Sequence, residues 1–156
     1  MKPVHRTLTL LLLGLGALTM LGCGALRAAS ARQAHINEQM QNYTYEKPLT
    51  DIWPEARAML FETGYQVRDT GEGSKTLETE WSRSEGGTLV RYLIQGIETD
   101  GKAQVRFNRQ AKTKDGSAGG GRDYDMEWKL VQRVEPERAA KIQTEAQAAG
   151  EAARGD

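Results

Sequence analysis

Residues 88–108, TLVRYLIQGIETDGKAQVRFN, alternate with a period of two on either side of Asp100-Gly101. Val90, Tyr92 and Ile94 share one face and Leu89, Leu93 and Ile97 the other, so both faces of this strand are expected to be partly covered. Asp-Gly tolerates the positive φ angles of a two-residue hairpin turn. On the returning strand Ala103, Val105 and Phe107 alternate with Gln104, Arg106 and Asn108. An antiparallel hairpin is therefore expected, and the other elements are placed around it.

Toward the N-terminus, Leu77, Thr79 and Trp81 alternate with Glu78, Glu80 and Ser82, between turns at Gly71–Ser74 and Gly86-Gly87. Tyr65 and Val67 face one way before the first of these turns. Four strands joined by tight turns predict an antiparallel meander, with Trp81 inward and Glu80 outward. Further upstream the period becomes helical: Ile52, Ala56, Met59 and Leu60 fall at i, i+4, i+7 and i+8. Asp51 is the expected N-cap, Pro54 lies in the first turn, and Gly64 is the expected stop. Trp53 and Phe61 flank the stripe and are expected in the core. Tyr43 and Tyr45 alternate as a short strand would, which Pro48 ends.

Beyond the hairpin, Lys112 to Gly121 is expected to be a flexible loop; its glycines lack the Gly-Lys-Ser/Thr ending of a phosphate-binding loop. Over Asp123 to Val134, Tyr124, Met126, Trp128 and Leu130 alternate as a strand would, while Tyr124, Trp128, Leu130, Val131 and Val134 keep helical spacing. Glu, Met, Lys, Leu and Gln favour the helix. Pro136 opens an alanine-rich helix, expected to fray after Gly150, with residues 151–156 a disordered tail. The expected fold is α+β: a four- to five-stranded antiparallel meander packed by an N-terminal and a C-terminal helix, helix-grip-like, in a single domain over residues 43–150.

The N-terminus has another character. Lys2 and Arg6 form a basic region, Leu8 to Leu18 an apolar one, and Met20-Leu21-Gly22-Cys23 ends in the only cysteine of the chain. This resembles the lipobox of bacterial lipoproteins, with Met20 and Leu21 where that family usually has Leu and a smaller residue. The resemblance implies a signal peptide over residues 1–22, cleavage before Cys23, and a diacylglyceryl group and further acyl chains such as palmitate on Cys23. Residues 23–42 then form the acylated cysteine and a flexible tether. Gly24 stands where inner-membrane lipoproteins often carry Asp, which implies the outer membrane, facing the periplasm. Two other readings of the uncharged run between Arg6 and Arg27 are an uncleaved anchor, for which about 20 residues are needed, and an ordinary secretory signal.

Removal of residues 1–22 leaves 156 − 22 = 134 residues, enough for one domain that buries roughly two-thirds of its surface. The whole chain has 21 basic and 21 acidic residues; without Lys2 and Arg6 the balance is 19 − 21 = −2. Neither nucleic acid nor an anionic membrane surface is suggested by that balance. His35 is the one histidine outside the signal peptide, in a polar stretch read as solvated linker. A Cys/His metal site and a Ser-His-Asp triad both lack residues, and no Asp or Glu stands in a visibly apolar setting. No catalytic residue, metal or cofactor is expected, and the chain is read as a non-enzyme.

The run from Tyr43-Thr-Tyr-Glu-Lys-Pro-Leu-Thr-Asp-Ile-Trp53 through Gly64-Tyr65 to Thr79-Glu80-Trp81 resembles the small domains of the BamC family of outer-membrane assembly lipoproteins and related helix-grip lipoproteins. The resemblance spans residues 43 to 134. It implies a strand, a helix opening near a tryptophan, a Thr-Glu-Trp strand, a meander and a closing helix. It also implies an accessory or scaffold protein of envelope assembly, held to the membrane by Cys23 and acting on an envelope protein partner. The alternative is a carrier of an apolar ligand or lipid, in a cleft lined by Trp53, Trp81, Tyr92 and Trp128. An empty cleft favours the carrier; a filled core favours the scaffold.

Overall fold

The computed structural model describes residues 24–68, 73, 75–84, 86–116 and 118–154. The signal peptide and Cys23 lie outside the described residues, as does most of the Gly71–Ser74 turn. In chain order the elements are α1 (24–41), α2 (Leu49–Glu62), β1 (Val67–Arg68), β2 (Thr76–Thr79), β3 (Ser82–Arg83), β4 (Leu89–Thr99), β5 (Lys102–Lys112), β6 (Ala118–Arg122), α3 (Tyr124–Val134) and α4 (Pro136–Arg154). The hairpin forms as its alternation dictates. β4 and β5 pair without a break from Leu89 opposite Lys112 to Thr99 opposite Lys102, and Asp100 and Gly101 turn at φ 54° and 74°.

The sheet is antiparallel and open, ordered β1-β2-β4-β5-β6, with β3 also on β4. Val90, Tyr92, Ile94, Ala103, Val105 and Phe107 are buried on its inner face, where α2 and α3 pack. α2 buries Leu49, Ile52, Ala56, Met59 and Leu60, and α3 buries Met126, Leu130, Val131 and Val134. The fold is therefore α+β with helices against an antiparallel sheet. Gly96 marks a close approach: a Cβ there would stand 2.6 Å from a Leu49 methyl and 2.9 Å from the Trp53 ring. Nearby, a Glu98 carboxylate oxygen accepts the Leu49 N–H at 2.7 Å, so the sheet supplies the N-terminal cap of α2.

That cap corrects the expected helix start. α2 begins at Leu49 rather than after Asp51, and Pro54 lies in its second turn. The helix ends as expected before Gly64, at φ 86°. Phe61, expected in the core, is 78% exposed, because it lies off the Ile52–Leu60 stripe. Tyr45 makes a single bridge to Ala103 rather than a strand, yet its ring is buried.

The largest correction concerns Trp81. β2 pairs with β4 as Thr76 opposite Gln95 and Glu78 opposite Leu93, whereas β3 pairs as Ser82 opposite Val90 and Arg83 opposite Leu89. Between these registers Thr79, Glu80 and Trp81 oppose only Arg91 and Tyr92, which is a β-bulge of one extra residue. The Thr79 hydroxyl, buried at the bulge, accepts the Tyr92 N–H at 2.9 Å. One extra residue inverts the side-chain alternation, so Leu77 and Thr79 point inward and Trp81 points outward.

Three stretches expected to be irregular are regular. Residues 118–121 of the expected loop, together with Arg122, form β6, paired with β5 from Asn108 opposite Arg122 to Lys112 opposite Ala118. Residues 24–41, expected as a flexible tether, form α1, and α4 continues through Gly150 to Arg154. Alanine, Arg, Gln and Glu favour helix in both. Over Asp123–Val134 the helical alternative holds: Asp123 Oδ1 caps α3 by accepting the Met126 N–H at 3.0 Å.

Contacts divide the chain into two units. One comprises residues 37–141, with the sheet, α2 and α3; the other comprises the described parts of 1–36 and 142–156. In the second unit residues 24–36 and 142–154 run antiparallel. A Cβ at Gly24 would lie 3.5 Å from Arg154 Cγ, and one at Gly150 would lie 2.8 Å from the Ala28 carbonyl. Ala28 and Ala146 are buried in this hairpin, so it is packed through small residues. His35, expected in a solvated linker, lies in α1 with Nε2 3.7 Å from a Glu145 oxygen.

Candidate functional site

The outer face of the sheet carries a groove of about 630 Å³. Trp81, Leu93, Gln95, Asn108, Gln110 and Lys112 line it, with the Gly119–Gly121 backbone. The bulge supplies the tryptophan, strict alternation in β4 and β5 supplies the rest, and β6 has no side chain between Ala118 and Arg122 to wall it off. Arg91 Cζ lies 4.8 Å and Lys112 Nζ 4.6 Å from the Trp81 ring centroid. Arg91 also pairs with Glu78, which faces Arg68. No carboxylate lines the groove, whereas the Lys112 ammonium does.

β6 ends the sheet order, and among the described residues no strand pairs with its outer edge. A Cβ at Gly120 would stand 2.5 Å from the Arg109 carbonyl, so this glycine sets how closely β6 approaches β5. Beyond β6 the exposed edge of β5 is closed by a side chain. The carboxylate of Glu127, 3% exposed on α3, accepts the Phe107 N–H at 2.9 Å and the Arg122 guanidinium at 2.8 Å. Burial pushes the Glu127 carboxyl above the usual carboxylate range, against the opposite pull of Arg122 and the Phe107 N–H.

The other strongly placed acids are engaged in the same way. Glu135, also buried, accepts the Tyr43 hydroxyl at 2.6 Å, the Glu46 N–H at 2.7 Å and Arg138 at 2.7 Å. Asp123 Oδ2 accepts the Tyr92 hydroxyl at 2.7 Å. Burial, with these carboxylates second, raises the Tyr43 and Tyr92 phenols above their ordinary value. Each of these acids thus ties a strand or loop to a helix. Among the described residues no cluster of three or more His, Cys, Asp or Glu is placed to hold a metal.

The four aromatics expected to line one cleft are dispersed. Tyr92 is on the inner face, edge-on to Tyr65 at 5.0 Å and to Phe107 at 6.2 Å. Trp81 is on the outer face, Trp53 sits on α2 beside Gly96, and Trp128 is half-buried on α3. Cys23 lies outside the described residues. Glu127 and Glu135 are engaged acids that the sequence did not single out. Glu127 was detectable, since it falls within the helical arc of Met126, Leu130, Val131 and Val134. Nor did the sequence single out the Gln110, Lys112 and glycine-strand groove.

No protein-family model, curated protein or solved structure matches this chain. No helix among the described residues is long and apolar enough to cross a membrane.

Proposed function

We propose that this chain is a lipid-anchored accessory or scaffold protein of envelope assembly, held by acylated Cys23 on the periplasmic side of the outer membrane. It works by binding a protein partner and turns over no substrate. The observation that carries this reading is the contrast between the two faces of the sheet. Between sheet and helices, Tyr45, Ile52, Leu60, Leu77, Ile94, Phe107, Leu130 and Val131 are fully buried. The space in which a carrier would hold its ligand is thus occupied by side chains. The outer groove instead joins amide side chains, an indole and a cation to an open strand edge, a combination suited to an extended polypeptide. The resemblance of residues 43–134 to BamC-family domains agrees with an assembly role.

Two experiments test it. Fatty-acid labelling in cells should mark the wild type and leave Cys23→Ser unmarked and uncleaved. Organic extraction of the purified wild type should release only the covalent acyl chains. A stoichiometric free lipid in that extract would favour the carrier.

A further inference from the structure

The second unit has an end whose composition is unlike the rest of it. Gly24 opens α1 directly after Cys23, and the packing of Gly24 on Arg154 brings the last turn of α4 to the same end. At that end Leu26 is 73% exposed and Arg27 and Arg154 are exposed, with Arg32 one turn further along. Glu151 is the single described acid in the same two turns. An exposed leucine flanked by arginines is a poor surface for water and a good one for a bilayer interface, where the aliphatic side chain enters the headgroup layer and the guanidinium groups meet phosphates.

The chain preceding this end states what lies beside it. Residues 7–26 carry no charge, and the run finishes in the first turn of α1. With Cys23 acylated, residue 24 is one peptide bond from the membrane anchor.

We propose that the paired ends of α1 and α4 form a membrane-contacting tip, in which Leu26, Arg27 and Arg154 engage the anionic headgroup layer. The far end of α4 is thereby held at the bilayer surface, and residues 24–36 pair with residues 142–154 as a helical hairpin rather than forming a slack tether. This rests on the anchoring through Cys23 proposed above.

The test uses the full acylated protein in phosphatidylethanolamine/phosphatidylglycerol vesicles containing brominated lipid. Acylation of Cys23 leaves a thiol introduced by Ala152→Cys or Ala140→Cys as the one free for an environment-sensitive fluorophore. These positions are 12 residues apart on one helix, about 18 Å. The label at 152 should be quenched several-fold more strongly than that at 140. Arg27→Glu with Arg154→Glu, or omission of phosphatidylglycerol, should reduce the quenching at 152. Protein that floats with the vesicles yet is quenched equally at both positions, or at neither, overturns the tip and leaves the anchor standing. Protein that does not float refutes the anchor, and the tip with it.

Discussion

The two faces of the β4–β5 hairpin share one backbone and differ in almost everything else. The inner face presents Val90, Tyr92, Ile94, Val105 and Phe107 to two helices and is buried. The outer face presents Arg91, Leu93, Gln95, Asn108, Gln110 and Lys112, half-buried or exposed, around an outward tryptophan. Burial of apolar area stabilises the fold from one side only. The outer residues are therefore free to serve binding, and substitutions there should separate function from stability.

The sharpest way to break this comparison is a pair of truncations. Phe107→Ala should destabilise the protein by about 3–5 kcal/mol, as deletion of a fully buried aromatic does. Trp81→Ala should cost about 1 kcal/mol or less, the worth of partly exposed cation–π contacts. Denaturant melts that give comparable losses would show that Trp81 is inward and the bulge misplaced.

A smaller effect sharpens the account of the sheet edge. Glu127→Ala should cost about 2–3 kcal/mol, since it strands the Phe107 N–H and a guanidinium. Glu127→Gln, which keeps a neutral acceptor, should cost distinctly less. Equal losses in thermal melts would mean that the carboxylate only fills space.

Gly120→Val should cost about 1–3 kcal/mol, because its side chain meets the Arg109 backbone rather than a movable side chain. Amide exchange should then rise over Ala118–Arg122 while the β4 amides keep their protection. Faster exchange throughout β4 would show that the two faces are not energetically separate.

The smallest effect is alkaline. Tyr43, Tyr45 and Tyr92 have folded-state values raised above 10.0, each mainly by burial. The folded chain keeps protons that the unfolded chain releases, so their contribution is whole below about pH 10 and is lost as pH rises further. Tyr92→Phe should flatten that decline in stability; an unchanged slope would place its hydroxyl in water.

Much of the inner face was legible in the sequence and little of the outer. The alternation around Asp100-Gly101 and the Ile52–Leu60 stripe mark the core, because burial imposes a period. The bulge left no mark, since one extra residue inverts the facing of Trp81 without disturbing the written alternation. β6 was invisible because three glycines have no side chains with which to show a period. α1 was hidden by its small size of contact: Gly24, Ala28, Ala146 and Gly150 pack closely without the large apolar residues that usually reveal a helix face. Its helix-forming composition was the signal passed over.

The central claim is that the outer face binds the partner. A photo-crosslinking residue placed in cells at Gln110, in the groove, or at Glu55, exposed on α2, tests it directly. One discrete adduct is expected at Gln110, lost in Lys112→Glu at unchanged protein level, and none at Glu55. The same adduct from Glu55, with nothing from Gln110, would contradict it.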